Sequence, residues 1–289
     1  MSAPTVDPGT AGPTPPASGG GFGREALAAI ARRLVPVGVS LVVILVLWTL
    51  FLQVFGVRAL IGKTPWDVAE WLFGLPASAA NRAQVLGDLG VTFVDAGIGY
   101  VAGLAAAGIA ASVFVVSRSV EQALMPVATL LRSVPLVAMT PLIVLAFGRG
   151  LTATGVIGGI VVFFPALVTM VFGLRSASPW AMELVTVYGG GRLTRLRRVM
   201  LPSAVPAVFA AARVGVPAAM VGALMAEWLA TGRGSGTRMI TAVAGFRYIE
   251  MWAAVVVVTA ACVALYALIG IVESLVVARM GLAGGDERS

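Results

Sequence analysis

RSASPWAMELVTVYGGGRLTRLRRVMLP, residues 175–202, is a basic, polar island set between long apolar runs, and its reading decides the fold. Ser178-Pro179 is a helix start, with Ser capping and Pro in the first turn. That helix runs to about Tyr188. Gly189-Gly190-Gly191 supplies a left-handed turn that ends it. A second short helix from Arg192 puts Leu193, Leu196 and Met200 on one face and Arg195 and Arg198 on another. Pro202 stops it and begins the next apolar run. A folded, basic, two-helix loop between membrane spans is a surface for touching something; a loop held to anionic lipid is the plainer alternative.

Composition outside the island sets the class. The 289 residues are 59% apolar and only 11% charged, with a mean hydropathy of +0.97; a globular chain carries roughly 25% charged residues. The apolar runs are about 20 residues or longer and do not alternate, which excludes a membrane β-barrel. The fold expected is an all-α polytopic membrane bundle of about six transmembrane helices. The spans are placed near residues 34–56, 89–116, 121–147, 151–174, 203–230 and 251–278. Residues before 24 are rich in Pro, Gly, Ala, Ser and Thr with one charge, Asp7, and are expected to be disordered. The run 34–56 is longer than a signal peptide's apolar core and reads as a retained first span.

Chemistry is restricted by what is missing. The chain has no His, one Lys (Lys63) and one Cys (Cys262). No internal disulfide, no common metal-ligand set and no nucleophile–base pair follows from these residues, so no catalytic, cofactor-binding or metal residue is assigned. Gly62-Lys63-Thr64 imitates the end of a phosphate-binding loop, but the pattern needs Gly where Val57 stands. The net charge of +7 does not imply nucleic acid, because the cations flank membrane spans.

Loop cations fix an expected topology. Arg24, Arg32 and Arg33 precede the first span, Arg118 follows the second, the island holds Arg175, Arg192, Arg195, Arg197 and Arg198, and Arg279 and Arg288 follow the last. Cations of the opposite loops are diluted by Asp67, Glu70, Asp88 and Glu250. Both termini and the island are therefore expected in the cytoplasm. Thr64-Pro65-Trp66-Asp67 predicts a short amphipathic helix lying on the outer face. Gly99 with Gly103 and Gly155 with Gly159 predict close helix packing. Prolines 126, 135, 141, 165, 206 and 217 mark kinks or a helix-lined pathway. Charges inside the spans are functional candidates by default. For Arg132 two readings stand, a pathway-lining cation or an ion pair with Asp95. For Arg213 and Glu227 snorkelling to an interface is the simpler reading.

Glu183 stands six residues before Gly189, and Gly189 thirteen before Pro202. Together with Val199 and Leu201-Pro202, this spacing resembles the coupling loop of ABC-importer permeases. Leu184 and Val185 replace the two alanines usual after the glutamate. Leu131-Arg132-Ser133-Val134-Pro135, Thr140-Pro141-Leu142-Ile143, Phe164-Pro165 and Ala226-Glu227 with its following Gly-rich stretch are similar to the nitrate/sulfonate/taurine branch of binding-protein-dependent permeases.

The resemblance implies a type I permease subunit in a bacterial inner membrane. Its divisions would be a disordered cytoplasmic tail (1–33), a transmembrane permease domain (34–280) with a coupling loop at 175–202, and a cytoplasmic tail (281–289). It implies a second permease copy as partner, two ATPase subunits that use ATP and Mg, an extracytoplasmic solute-binding protein and the lipid bilayer. It carries Glu183, Gly189, Gly191, Arg192, Arg195, Arg198, Leu201 and Pro202 to ATPase coupling. Asp95, Arg132, Pro135, Met220 and Glu227 are candidates for the pathway or gate of a small polar solute: sulfonate, nitrate, taurine or a heterocyclic precursor. Sulfonate-type members often carry Arg where Asp95 stands; an acid there weakens the case for an anionic solute and leaves a neutral or cationic heterocycle, such as a pyrimidine precursor, open. The alternative class is an ion-coupled carrier working alone through Asp95, Arg132 or Glu227; inverted repeats and further spans, common in such carriers, are not evident.

Overall fold

A computed structural model describes the backbone of residues 22–280 and the side chains of residues 38–280. The tails before residue 22 and after 280 lie outside the described residues. The described residues form helices and turns, without strands. The chain divides after Arg58 into two compact units. The first contains helix α1 (Phe22–Val54), which begins ahead of the span expected at 34–56; its described side chains, Gly38–Val54, form a short apolar helix.

The first helix of the second unit is short, α2 (Pro65–Ala69). Thr64 Oγ1 accepts from the Asp67 N–H at 3.2 Å, and Asp67 Oδ2 accepts from the Thr64 N–H at 2.8 Å, a reciprocal capping box. One wide π-turn, Glu70–Gly74, carries it on. Val68 and Leu72 are buried while Trp66 and Phe73 are exposed, as an interfacial amphipathic helix requires. Arg82 and Asn81, in the first turn of the next helix, donate to the carbonyls of Leu72 and Trp71.

In the second unit four helices are long and apolar enough to cross a membrane: α3 (Ser78–Val116), α6 (Leu151–Arg175), α10 (Val205–Ala226) with its π-turn to Thr231, and α12 (Tyr248–Arg279). α3 starts at Ser78, well before the expected 89. The span expected at 121–147 is not straight. It is α4 (Arg118–Ser133) and α5 (Leu136–Phe147), bent by 103°. Val134 and Pro135 are extended between them, as a residue before proline prefers. Pro126, Pro141, Pro165 and Pro217 lie inside continuous helices. Only Pro135, of the prolines singled out, sits at a sharp break.

α3, α6 and α10 form the core. Their backbones meet where side chains are absent: a Cβ on Gly99 or on Gly222 would fall 2.7 Å from Gly158 Cα. Without competing water in the bilayer, such contact is what holds helices together. Ala96, Val162, Ala219 and Met220 pack beside this crossing. α12 is the least buried of the four and keeps Val263, Leu268, Ile271 and Leu275 exposed, a lipid-facing pattern.

Candidate functional site

The island folds as two helices joined by an elbow. α7 spans Pro179–Val187. Ser178 precedes it without a side-chain capping bond, and Pro179 occupies the first turn as expected. The turn is closed by Gly190 N–H to Val185 O at 2.8 Å and Gly189 N–H to Thr186 O at 3.0 Å. That pair of bonds is a Schellman motif. Gly189 has φ +77°, the left-handed conformation, and a Cβ on Gly190 would meet Val185 O at 2.7 Å. Two of the three glycines are thus required by geometry, whereas Gly191 is extended and precedes α8 (Arg192–Arg195).

Helical backbone continues from α8 through the π-turn Leu196–Met200 and α9 (Leu201–Ser203). The sequence suggested that Pro202 stops the helix; it does not, and a single turn residue, Ala204, separates α9 from α10, which has Pro206 in its first turn. Leu196, Val199 and Met200 are buried, but Leu193, in the short first turn, is exposed. Glu183 and Arg198 are exposed. On α7, Trp180, Leu184, Val187 and Tyr188 are exposed, an uncovered apolar surface of a short polar loop.

Arg175 pairs with Glu121 at 2.6 Å. This brings the end of α6 to the start of α4, so the elbow, the end of α3 and the start of α4 share one end of the unit. Arg192 and Arg195 line a cavity there with Arg118.

At the opposite end, a buried polar cluster joins α3, the end of α10 and α11 (Gly234–Ala244). Glu227 and Asp95 are both 0% exposed. Glu227 Oε2 accepts the Gly236 N–H at 2.6 Å, and Thr237 Oγ1 donates to the Glu227 carbonyl at 2.8 Å. Gly234, at φ +88°, lies so close that a Cβ would sit 2.3 Å from Glu227 Oε1. Ser235 N–H donates to Thr92 Oγ1 at 3.0 Å, and Arg233 approaches Asp95 at 3.8 Å. Glu227 Oε1, both Asp95 oxygens and Ser235 Oγ make no hydrogen bond.

The snorkelling reading of Glu227 does not survive this burial. Nor does an Arg132–Asp95 pair: Asp95 is approached by Arg233, and Arg132 is exposed beside the α4–α5 bend with Pro135. Met220 is buried against a cavity of about 330 Å³ lined also by Phe93 and Tyr100. Arg213, expected to snorkel, pairs with Glu273 of α12 at 3.1 Å and stacks on Tyr266 with its carbon 4.7 Å from the ring centre. Sequence reading missed Arg233 and Ser235, although the Gly-rich stretch after Glu227 marked the place.

Comparison with known proteins gives this geometry its setting. A "Probable ABC transporter permease protein" of Haemophilus influenzae is 28% identical over 224 residues, 78% of this chain and 89% of that protein. A riboflavin transport system permease protein of Chloroflexus aurantiacus is 34% identical over 160 residues, 55% of this chain and 60% of that protein. A formylaminopyrimidine transport permease protein of Halalkalibacterium halodurans is 30% identical over 128 residues, 43% of this chain and 51% of that protein. Weaker matches include permeases named for aliphatic sulfonates, taurine and nitrate. The family described as "Binding-protein-dependent transport system inner membrane component" matches residues 87–282, which takes in the helical core, the elbow and the buried carboxylates. The chain belongs to this family of inner-membrane ABC transport permeases.

Proposed function

We propose that the chain forms the translocation pathway of an ATP-driven importer and that the α7–α8 elbow docks on a separate ATPase in the cytoplasm. The observation that carries this reading is the elbow itself. A Schellman turn fixes α7 at a set angle and leaves Trp180, Leu184, Val187 and Tyr188 exposed beside Glu183. Aromatic and aliphatic anchors of this kind are what a partner's cleft would bury. Gly189, Gly191, Leu201 and Pro202 set the path of the lever, and Arg192, Arg195 and Arg198 follow it.

The distribution of Lys and Arg supports the orientation: Arg24, Arg32, Arg33, Arg118, Arg175, Arg192, Arg195, Arg197, Arg198, Arg279 and Arg288 fall in the segments assigned to the elbow's side, against Arg58, Lys63, Arg82, Arg149, Arg233, Arg238 and Arg247 in the others. At the end opposite the elbow Arg238 pairs with Asp88 and Glu250, and Arg247 with Glu250. Arg192, Arg195, Arg197 and Arg198 form no ion pair among the described residues. The same reading puts both termini inside, pairs the subunit with a second copy and with two ATPases using ATP and Mg, and has an outer solute-binding protein deliver the solute. Asp95, Arg132, Pro135, Met220 and Glu227 belong to its pathway or gate.

For the solute, a neutral or cationic heterocycle fits better than sulfonate, nitrate or taurine. The relatives named for riboflavin and formylaminopyrimidine transport, 34% and 30% identical over the matched residues, support this choice.

Glu183→Trp and Gly189→Val test the docking. Both should abolish solute uptake and co-purification of the ATPase subunit. Survival of both properties would defeat the assignment.

A further inference from the structure

At the elbow end three cavities adjoin. The first, about 210 Å³, is lined by Arg118, Arg192 and Arg195 with Val116 and Met182. The second, about 500 Å³, shares Val115 and Arg118 with the first and adds Phe114, Glu121 and Arg175. The third, about 530 Å³, shares Phe114 with the second and runs between α3, α4 and α6, lined by Leu124, Leu131, Phe163 and Leu167. A basic pocket and an apolar groove thus lie side by side, with Phe114 lining the groove and the cavity next to the pocket. Along α3 the groove extends from Phe114 back to Ala106, about 12 Å at 1.5 Å per residue.

The pocket's charge is uncompensated. Arg118, Arg192 and Arg195 form no ion pair among the described residues. Arg195 Nε is buried without a hydrogen-bond partner. Arg192 has only a 3.5 Å contact to the Val116 carbonyl. Glu121, the carboxylate lining the second cavity, is taken by Arg175. Guanidinium groups recognise phosphate oxygens in a fork geometry. Basic pockets between helices at the cytoplasmic interface suit anionic headgroups.

We propose that this is a binding site for one anionic phospholipid. Its phosphate sits on Arg118, Arg192 and Arg195, and an acyl chain enters the groove past Phe114. The α8 arginines then anchor the elbow to the membrane while α7 stays free to dock. This inference does not rest on ATPase docking, because lipid retention is read on the permease chain itself.

The test is native mass spectrometry of the transporter complex extracted in mild detergent and supplied with phosphatidylglycerol, phosphatidylcholine or inorganic phosphate. The full chain should retain phosphatidylglycerol and not phosphatidylcholine through delipidation. Arg118→Gln with Arg195→Gln should lower the retained fraction about tenfold or more. Ala128→Trp, which fills the groove, should do the same without touching a cation. Arg149→Gln, a cation elsewhere, should retain the lipid. Three results would overturn the proposal: equal retention of phosphatidylcholine; binding of inorganic phosphate undiminished in Ala128→Trp, which would mean a free-anion site; or loss of the permease pair in Ala128→Trp with lipid unchanged, which would mean that a second copy fills the groove.

Discussion

Glu227 shows what a single residue does in this molecule. Its carboxylate, fully buried, holds the turn between α10 and α11 through the Gly236 N–H. Gly234→Ala would press a methyl onto it in a left-handed conformation. The expected loss is about 2 kcal/mol or more, read as a lower melting temperature in detergent together with lost uptake; an unchanged melting temperature would contradict the role given to this turn. Asp67 offers a pH test. Hydrogen bonds from the Thr64 backbone and then its side chain hold the Asp67 carboxyl below its ordinary value of 3.8. Its contribution is therefore present above that value and lost as the pH falls through the lower, folded-state one. Thr64→Ala should cost about 1 kcal/mol at neutral pH, whereas Asp67→Asn, which removes the titrating carboxyl, should flatten the acid dependence of thermal melting; an Asp67→Asn variant that kept the full dependence would show that another group causes it. The capping box could be read from four consecutive residues. The partners of Glu227 and Asp95 could not: Gly236 lies nine residues on, and Arg233 comes from a helix end far along the chain, so no local pattern names them.

Elements were legible to the extent that their cause is local. Apolar run length located the long helices, and Gly spacing located the α3–α6 contact, because a missing Cβ is visible in the sequence. Gly99→Val and Gly222→Val should each destabilise the bundle by about 1–3 kcal/mol through overpacking at Gly158. Gly97→Val is the control, since nothing lies within 4 Å of its Cβ position. Equal melting temperatures for all three would mean that the crossing is not a tight one. Direction was less legible than length. The 103° bend between α4 and α5 leaves the apolar content of 121–147 unchanged, and only Val134-Pro135 hinted at it. The elbow was the opposite case. Its glycine turn was legible, but the π-turn at Leu196–Met200 was not, since a one-residue change in helical phase leaves no mark in composition.

At the scale of the molecule, two polar sites stand at opposite ends of a glycine-packed core, an exposed elbow at one and a closed carboxylate cluster at the other. α10 links them: it begins one residue after the elbow's last turn and ends at Glu227. α10 is thus the element through which a movement of the elbow would reach the buried cluster. Everything in this account depends on what α7 touches. The direct measurement places a photocrosslinking residue at Val187, which is exposed on α7, in the assembled transporter in its native membrane. The account predicts an adduct with the nucleotide-hydrolysing subunit, weakened when Gly189→Val distorts the turn. An adduct with the outer solute-binding protein, or with lipid alone, would contradict it.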